Sequence, residues 1–321
     1  MASAPVLVFG AQGWIGGLLC GRVLPELGVP CVAAESRADD GAAVRAEVGR
    51  VRPRLVFAAL GRTHGECGGR VFNTIDYLEQ PGKLGENLRD NLVAPLVLAG
   101  VCRDLAVPCA QIATGCIFEA ADLATIADES LRGFGEEDRP NFTASSYSAV
   151  KGATDTLLAQ LFEGVLFFRI RMPIVHSLHP RSFLTKITTY ERICSVPNSM
   201  SVLDGPHGLL ALFVRMALAG YTGCYNGTNP GVLSHNQILE RYRDVVDPDF
   251  EWLNFDLQAQ AAVLAAGRSN NRLDSSKLAA AAADLGLELP SLREAMEGVL
   301  QAVAAEQQQA KQQQAKQQQQ Q

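Results

Sequence analysis

Apolar residues in the first half of the chain collect into short continuous runs, each followed by a stretch with helical spacing. APVLVFG, VPCVAAE, RLVFAAL, PCAQIATG and VLFFRIR read as strands, since a strand buried on both faces has no polar side to show. Between them the pattern predicts helices over Trp14 to Leu27, Ala43 to Arg50, Glu86 to Leu105 and Tyr147 to Leu161. Strands alternating with helices predict an α/β fold, a Rossmann-type doubly wound parallel sheet. After Arg171 the rhythm changes, and irregular pieces such as MPIVHSLHPRSF, SVPNSMSVLDGP and NGTNPGVLSHN separate a few helical ones. We therefore expect residues 1–171 to form a dinucleotide-binding domain, to which 209–228 returns through a helix, Leu209 to Ala219, and the strand-like GCYNGT. Residues 172–208 and 229–305 then form a smaller C-terminal substrate-binding part over the open end of the sheet. The Gln-rich 306–321 is low-complexity and is expected to be a disordered tail. No internal repeat is visible.

Composition narrows the function classes. The 321 residues are 47% hydrophobic and 19% charged, with a net charge of −6. That balance speaks against nucleic-acid and anionic-membrane surfaces. No run reaches the ~18 apolar residues of a membrane-spanning helix, and the opening MASAPVLVFG lacks the charged n-region of a signal peptide. The eight cysteines are scattered, without a CxxC pair or Cys/His zinc spacing, so neither a metal site nor a disulfide scaffold is expected. A reducing, cytoplasmic setting fits them.

The first strand runs directly into glycines at 10, 13 and 16, in VLVFGAQGWIGG. Gly10 permits a sharp turn, Gly13 lets a diphosphate approach the backbone, and Gly16 lets helix and strand pack closely. Gln12, Trp14 and Ile15 of this loop, with Ala59 and Leu60 at the end of the third strand, are assigned to the same cofactor. The second strand ends at Glu35, with Arg37 behind it. An acid there holds a ribose diol and an arginine pairs with a 2′-phosphate, so the two signals pull apart. Arg37 favours NADPH, with NADH as the alternative.

NFTASSYSAVKGATDTLL carries Tyr147 and Lys151 four residues apart, hence on one helix face. A phenol is a poor acid or base near neutrality, and an adjacent ammonium together with an oxidised nicotinamide ring favours its phenolate. Thr114, about thirty residues earlier at a strand end, is suited to holding a substrate carbonyl oxygen. In QIATGCIFE it is followed by Cys116, two residues on and therefore on the same side of an extended chain. Spacing alone leaves Cys116 open between a buried filler and a partner of Thr114.

The arrangement resembles the extended short-chain dehydrogenase/reductases. GWIGG, ATGCIFE, RPNFTASSYS, RIRMPI, FLTKIT, PNSMSVLD, TNPGVLSHNQILE, VDPDF and RSNN are similar to the nucleotide-rhamnose synthase/epimerase-reductases of plants, while GRTHG and TIDYLEQPGKL resemble the algal and giant-virus members. The likeness runs from about residue 5 to 300. It implies conversion of UDP-4-keto-6-deoxy-D-glucose to UDP-β-L-rhamnose with NADPH, by inversion at C3 and C5 and then reduction at C4. It also implies that Thr114, Tyr147 and Lys151 serve the reduction, that Cys116 and Lys186 are the epimerase acid/base pair, and that a separate 4,6-dehydratase supplies the substrate. Related enzymes further imply a homodimer.

Both inverted carbons flank the ketone, so each proton is acidified by the enolate that forms, and each inversion needs a base on one face and a donor on the other. Pro173 is placed beside the nicotinamide. Arg171, Arg181, Arg268 and Asn198 are candidates for the sugar nucleotide, the arginines for its diphosphate, with ion pairing as their alternative. His64 is expected to order a loop and Asn91 to tie helix to sheet. Ser182 stands where the plant pattern has asparagine, and VLDGPHGLL lacks the acidic VLDELLP form. Two alternatives remain on sequence grounds: a reductase-only enzyme like dTDP-4-dehydrorhamnose reductase, or a non-catalytic NADP-binding regulatory subunit.

Overall fold

The computed structural model describes residues 4–319; residues 1–3, part of the stretch read above for a leader, and 320–321 of the tail lie outside the described residues. Six parallel strands build the central sheet: β1 (Val6–Phe9), β2 (Cys31–Ala33), β3 (Leu55–Ala58), β4 (Cys109–Thr114), β5 (Val165–Ile170) and β6 (Gly223–Tyr225). Their order is β6-β5-β4-β3-β1-β2. The direction of winding reverses between β1 and β3, and the carboxyl ends at that point open a crevice. The Rossmann-type expectation holds, with a shortened flank: a single strand, β2, lies beyond β1.

Alternation along each strand feeds two cores. Val6, Val8, Leu55, Phe57, Ala110 and Ile112 pack against residues 14–26 and the helix Leu209–Leu218. Leu7, Phe9, Val56, Ala58, Cys109 and Ala113 pack against the helices Gly41–Val51 and Ala94–Asp104. The two long helical stretches at 14–26 and 84–104 each widen into a π turn, at Leu19–Val23 and Arg89–Val93. Gly223–Tyr225 joins the sheet at its edge, in parallel register with Leu166–Phe168.

A third core, with Ile174, Leu184, Ile187, Met200, Val202, Leu239, Met296 and Val299, holds the segments that cover the sheet's open end. Two short parallel pairs frame it: Pro173–Ile174 with Ser201–Val202, and Arg192–Ile193 with Leu253–Asn254. The Gln-rich tail departs from expectation, because Leu292–Gln319 is one helix. Leu292, Met296, Val299, Leu300 and Val303 bury its first turns. Once those turns are fixed, propagation through good helix formers such as Gln, Ala and Lys needs no further nucleus, and Gln307 reaches back to donate to Tyr242 Oη at 3.3 Å. No helix among the described residues is long and apolar enough to cross a membrane.

Candidate active site

A cleft of about 1260 Å³ lies across the carboxyl ends of the strands. At one end is the glycine loop. Gly10 has φ 81°, and a Cβ there would sit 2.5 Å from the Ala59 carbonyl oxygen; on Gly16 it would sit 2.1 Å from the Gly10 carbonyl oxygen. Side chains are therefore excluded for steric reasons, and Gly13 is left exposed at the start of the helix Trp14–Leu18. Gly13, Trp14, Ile15, Ala59 and Leu60 line the cleft, while Gln12 is exposed beside it. Trp14 stacks on His179 with centroids 5.0 Å apart. The cradle fits a dinucleotide diphosphate at a helix N-terminus. At the end of β2, Glu35 turns outward toward Arg50 at 3.4 Å, and Arg37 pairs with Asp39 at 2.8 Å and Asp90 at 3.5 Å.

β4 delivers Thr114, buried, as its last residue. The Thr114 hydroxyl accepts the Cys116 backbone N–H at 3.1 Å, and Gly115 N–H donates to Ile170 O at 3.0 Å. The strand thus ends at Thr114, and Cys116 reaches the cleft through a turn rather than through the pleat. Gly115 is needed in that turn, since a Cβ would lie 2.5 Å from Leu273 Cδ1 and 3.1 Å from Arg171 Cγ. Cys116 packs, partly buried, against a cluster of Tyr77, Leu78 and Tyr147.

Arg171 and Asn198 require correction as substrate ligands. Arg171 is 1% exposed. It donates to Gly115 O (3.0 Å), Ser269 Oγ (2.9 Å), Ser269 O (3.0 Å) and Asn198 Oδ1 (2.6 Å). Asn198, fully buried, also accepts Asn271 N–H at 2.9 Å and donates to Asn270 Oδ1 at 3.1 Å. Both face inward because the Gly115 turn and the RSNN segment bring carbonyls together that need buried donors. Their role is to clamp the turn that presents Thr114 and Cys116.

The helix Ser146–Leu161 starts on Ser145, whose hydroxyl accepts Ser148 N–H at 3.1 Å. Its first turns place Tyr147 and Lys151 in the cleft, both buried. Burial raises the Tyr147 pKa; neighbouring Cys116 adds to this and a hydrogen bond with Thr114 opposes it. Burial pushes Lys151 down to about 8, partly offset by Asp155. Pro173 lines the same cleft next to Met172, held at φ 38°.

On the opposite wall the helix Phe183–Thr189 presents Lys186, whose Nζ donates to Asn73 O at 3.2 Å. Burial first, then Arg181 and Arg268, lower it to about 8. Ser182, the departure from the plant pattern, is a buried packing residue whose Oγ accepts Val175 N–H at 3.3 Å. The altered VLDGPHGLL stretch is also a packing element: Asp204 accepts the His176 backbone N–H at 2.8 Å.

Arg181 and Arg268 both reach the cleft. Asn91 ties the helical stretch to the loop after β3, accepting Arg62 N–H and donating to Arg62 O, each at 2.9 Å. Sequence reasoning missed the hairpin Gly65–Cys67/Arg70–Phe72, whose second strand lines the cleft, and Asp76, which lines it too. Asp76 bonds Arg268 from 192 positions away, and no local pattern announces such a contact.

Glycine cradle, Tyr147/Lys151 pair and strand-end hydroxyl together define an oxidoreductase of the short-chain dehydrogenase/reductase type. No protein-family model matches the chain. Protein L780 of Acanthamoeba polyphaga mimivirus is 46% identical over 288 residues, 90% of this chain and 96% of that protein. The crystal structure of the L780 UDP-rhamnose synthase aligns with TM-score 0.86 at 44% identity, covering 94% of this chain and 100% of that one. An Arabidopsis thaliana bifunctional dTDP-4-dehydrorhamnose 3,5-epimerase/dTDP-4-dehydrorhamnose reductase is 42% identical over 298 residues, 92% of this chain and 91% of that protein. A dTDP-4-dehydrorhamnose reductase from Bacillus anthracis shares the fold, with TM-score 0.71 at 15% identity over 94% of this chain and 97% of that one. The chain belongs to the nucleotide-rhamnose synthase family of epimerase/reductases.

Proposed function

We propose that the chain is a bifunctional 3,5-epimerase/4-keto-reductase that converts UDP-4-keto-6-deoxy-D-glucose to UDP-β-L-rhamnose with NADPH. The observation that carries this reading is the meeting of Thr114, Cys116, Tyr147, Lys151 and Lys186 in one cleft beside the glycine cradle. The Thr114 and Tyr147 hydroxyls hold the C4 oxygen and stabilise the enolate that forms when a proton leaves C3 or C5. Lys186 and Cys116 form the acid/base pair: one withdraws the proton and the other returns one to the opposite face. A lysine lowered to about 8 is roughly one-tenth neutral amine at pH 7, enough to act as a base.

A bound reduced nicotinamide supplies the hydride to C4. Tyr147, kept protonated by its burial, gives its proton to the C4 oxygen as the carbonyl becomes an alcohol, and solvent reprotonates the phenolate. Lys151 holds positive charge beside that developing phenolate. Arg37 is read as the 2′-phosphate contact that favours NADPH, and Pro173 borders the nicotinamide. The eight free cysteines fit a cytoplasmic enzyme. The keto sugar is supplied by a separate 4,6-dehydratase, and Leu84, Leu88 and Val93, exposed along the 84–104 stretch, suit a homodimer.

The test is incubation of UDP-4-keto-6-deoxyglucose with the protein and NADPH in heavy water, with the product read by NMR. The reading expects UDP-β-L-rhamnose carrying deuterium at C3 and C5 and protium at C4. A product of unchanged configuration, or protium retained at C3 and C5, refutes it.

A further inference from the structure

Of the arginines that line the cleft from the covering segments, Arg181 and Arg268 are partnered by the fold in opposite ways. Arg268 bonds the carboxylate of Asp76. That carboxylate, 9% exposed as a residue, also accepts Ala266 N–H at 2.9 Å and the Thr74 hydroxyl at 2.5 Å. The contact fastens the 266–268 segment to the helical turn Ile75–Glu79, and it places a full negative charge against Arg268.

Arg181 meets neutral acceptors. Its guanidinium bonds His64 Nε2 at 2.8 Å and Thr63 Oγ1 at 3.3 Å, and its backbone N–H donates to His179 Nδ1 at 3.1 Å. Among the described residues no carboxylate acts on it; its charged neighbours include Arg62 and Lys186, both cationic. Arginine offers donors alone, so His64 Nε2 is the acceptor and the imidazole proton sits on Nδ1. Burial, then the charges of Arg181, Arg62 and Lys186, push His64 down to about 4, so the ring stays a neutral acceptor throughout the working range.

A carboxylate in place of His64 would orient the guanidinium equally well, but it would cancel the charge that an anion needs to feel. We propose that His64 is a positioning residue that aims Arg181 at the diphosphate of the sugar nucleotide while leaving its charge intact. Arg181 is then the cleft's diphosphate ligand, and Arg268 is a clasp. This inference rests on the sugar-nucleotide reading above and separates two arginines that sequence alone treats alike.

The test is calorimetric binding of UDP to the full chain with NADPH bound, comparing wild type with His64→Gln, His64→Asp, Arg181→Gln and Arg268→Gln. An amide oxygen replaces the imidazole acceptor, so His64→Gln keeps the UDP Kd within about threefold, whereas His64→Asp weakens it tenfold or more, with NADPH affinity unchanged in both. Arg181→Gln costs UDP affinity at least tenfold and Arg268→Gln less than that. In turnover, His64→Asp raises KM for the sugar nucleotide more than it lowers kcat. Equal UDP affinity in the two His64 variants overturns the proposal, as does a larger loss from Arg268→Gln than from Arg181→Gln. Should His64→Asp also lose NADPH, the loop has misfolded and the arginine pair alone decides. Wild-type protein that fails to bind UDP overturns the substrate reading, and the inference with it.

Discussion

Replacing Lys151 with methionine should stabilise the protein while removing its reductase activity. Lys151 is 5% exposed, and burial lowers its pKa from 10.5 to about 8. Asp155 offers limited help because Arg169 engages it bidentately, at 2.6 and 2.8 Å. With a tenfold change in proton affinity worth about 1.4 kcal/mol, holding the ammonium charged below pH 8 costs the fold on the order of 3 kcal/mol. Between about 8 and 10.5 the unfolded chain binds the proton that the folded chain has released, so stability attributable to Lys151 rises with pH across that window. Methionine has a similar shape and no charge, and should gain about 1–3 kcal/mol at pH 7. Urea unfolding followed by circular dichroism at pH 7 and pH 10 measures the gap. We expect the variant to be more stable at pH 7 and the advantage to shrink at pH 10. A variant less stable than wild type at pH 7, or a gap that ignores pH, refutes the reasoning.

Solvent-deuterium exchange at C3 and C5 should rise with pH and level off above about 8, because Lys186, lowered to about 8, must shed its proton to act as base. Lys186→Arg, whose guanidinium stays charged, should lose about a hundredfold or more of that exchange while still reducing an L-configured 4-ketosugar; a flat profile contradicts the assignment. Arg171→Met should leave the Ser269 carbonyl without its buried donor and strip one of two donors from Gly115 O and Asn198 Oδ1, each keeping Asn271. It should lower stability by roughly 3 kcal/mol or more in chemical denaturation and depress both half-reactions together; selective loss of sugar-nucleotide affinity would instead restore Arg171 as a ligand.

The sheet was legible because both-face burial writes itself as continuous apolar runs, and Val6–Phe9, Leu55–Ala58 and Val165–Ile170 show it plainly. Gly10 and Gly16 were legible because steric exclusion admits one residue type. Thr114, Tyr147 and Lys151 were proposed from order and spacing, and Cys116 and Lys186 from the family resemblance; all five line one cleft. Arg171 and Asn198 were misread because an arginine in a sequence carries no mark of burial: what turns it inward is a demand from Gly115 O and Ser269, set by a turn 56 positions before it and a segment 98 positions after it. Low complexity misled at the tail, where composition hid a helix already started by Leu292 and Met296.

The central claim is that one oxygen cradle serves two reactions and that Cys116 belongs to one of them. Cys116→Ser, given UDP-4-keto-6-deoxyglucose in heavy water without NADPH, should fall at least about a hundredfold in deuterium uptake at C3 and C5. Given the already epimerised ketosugar and NADPH, it should still reduce C4 at close to the wild-type rate. Undiminished exchange, or loss of both activities in a variant that folds and binds NADPH normally, would contradict the account.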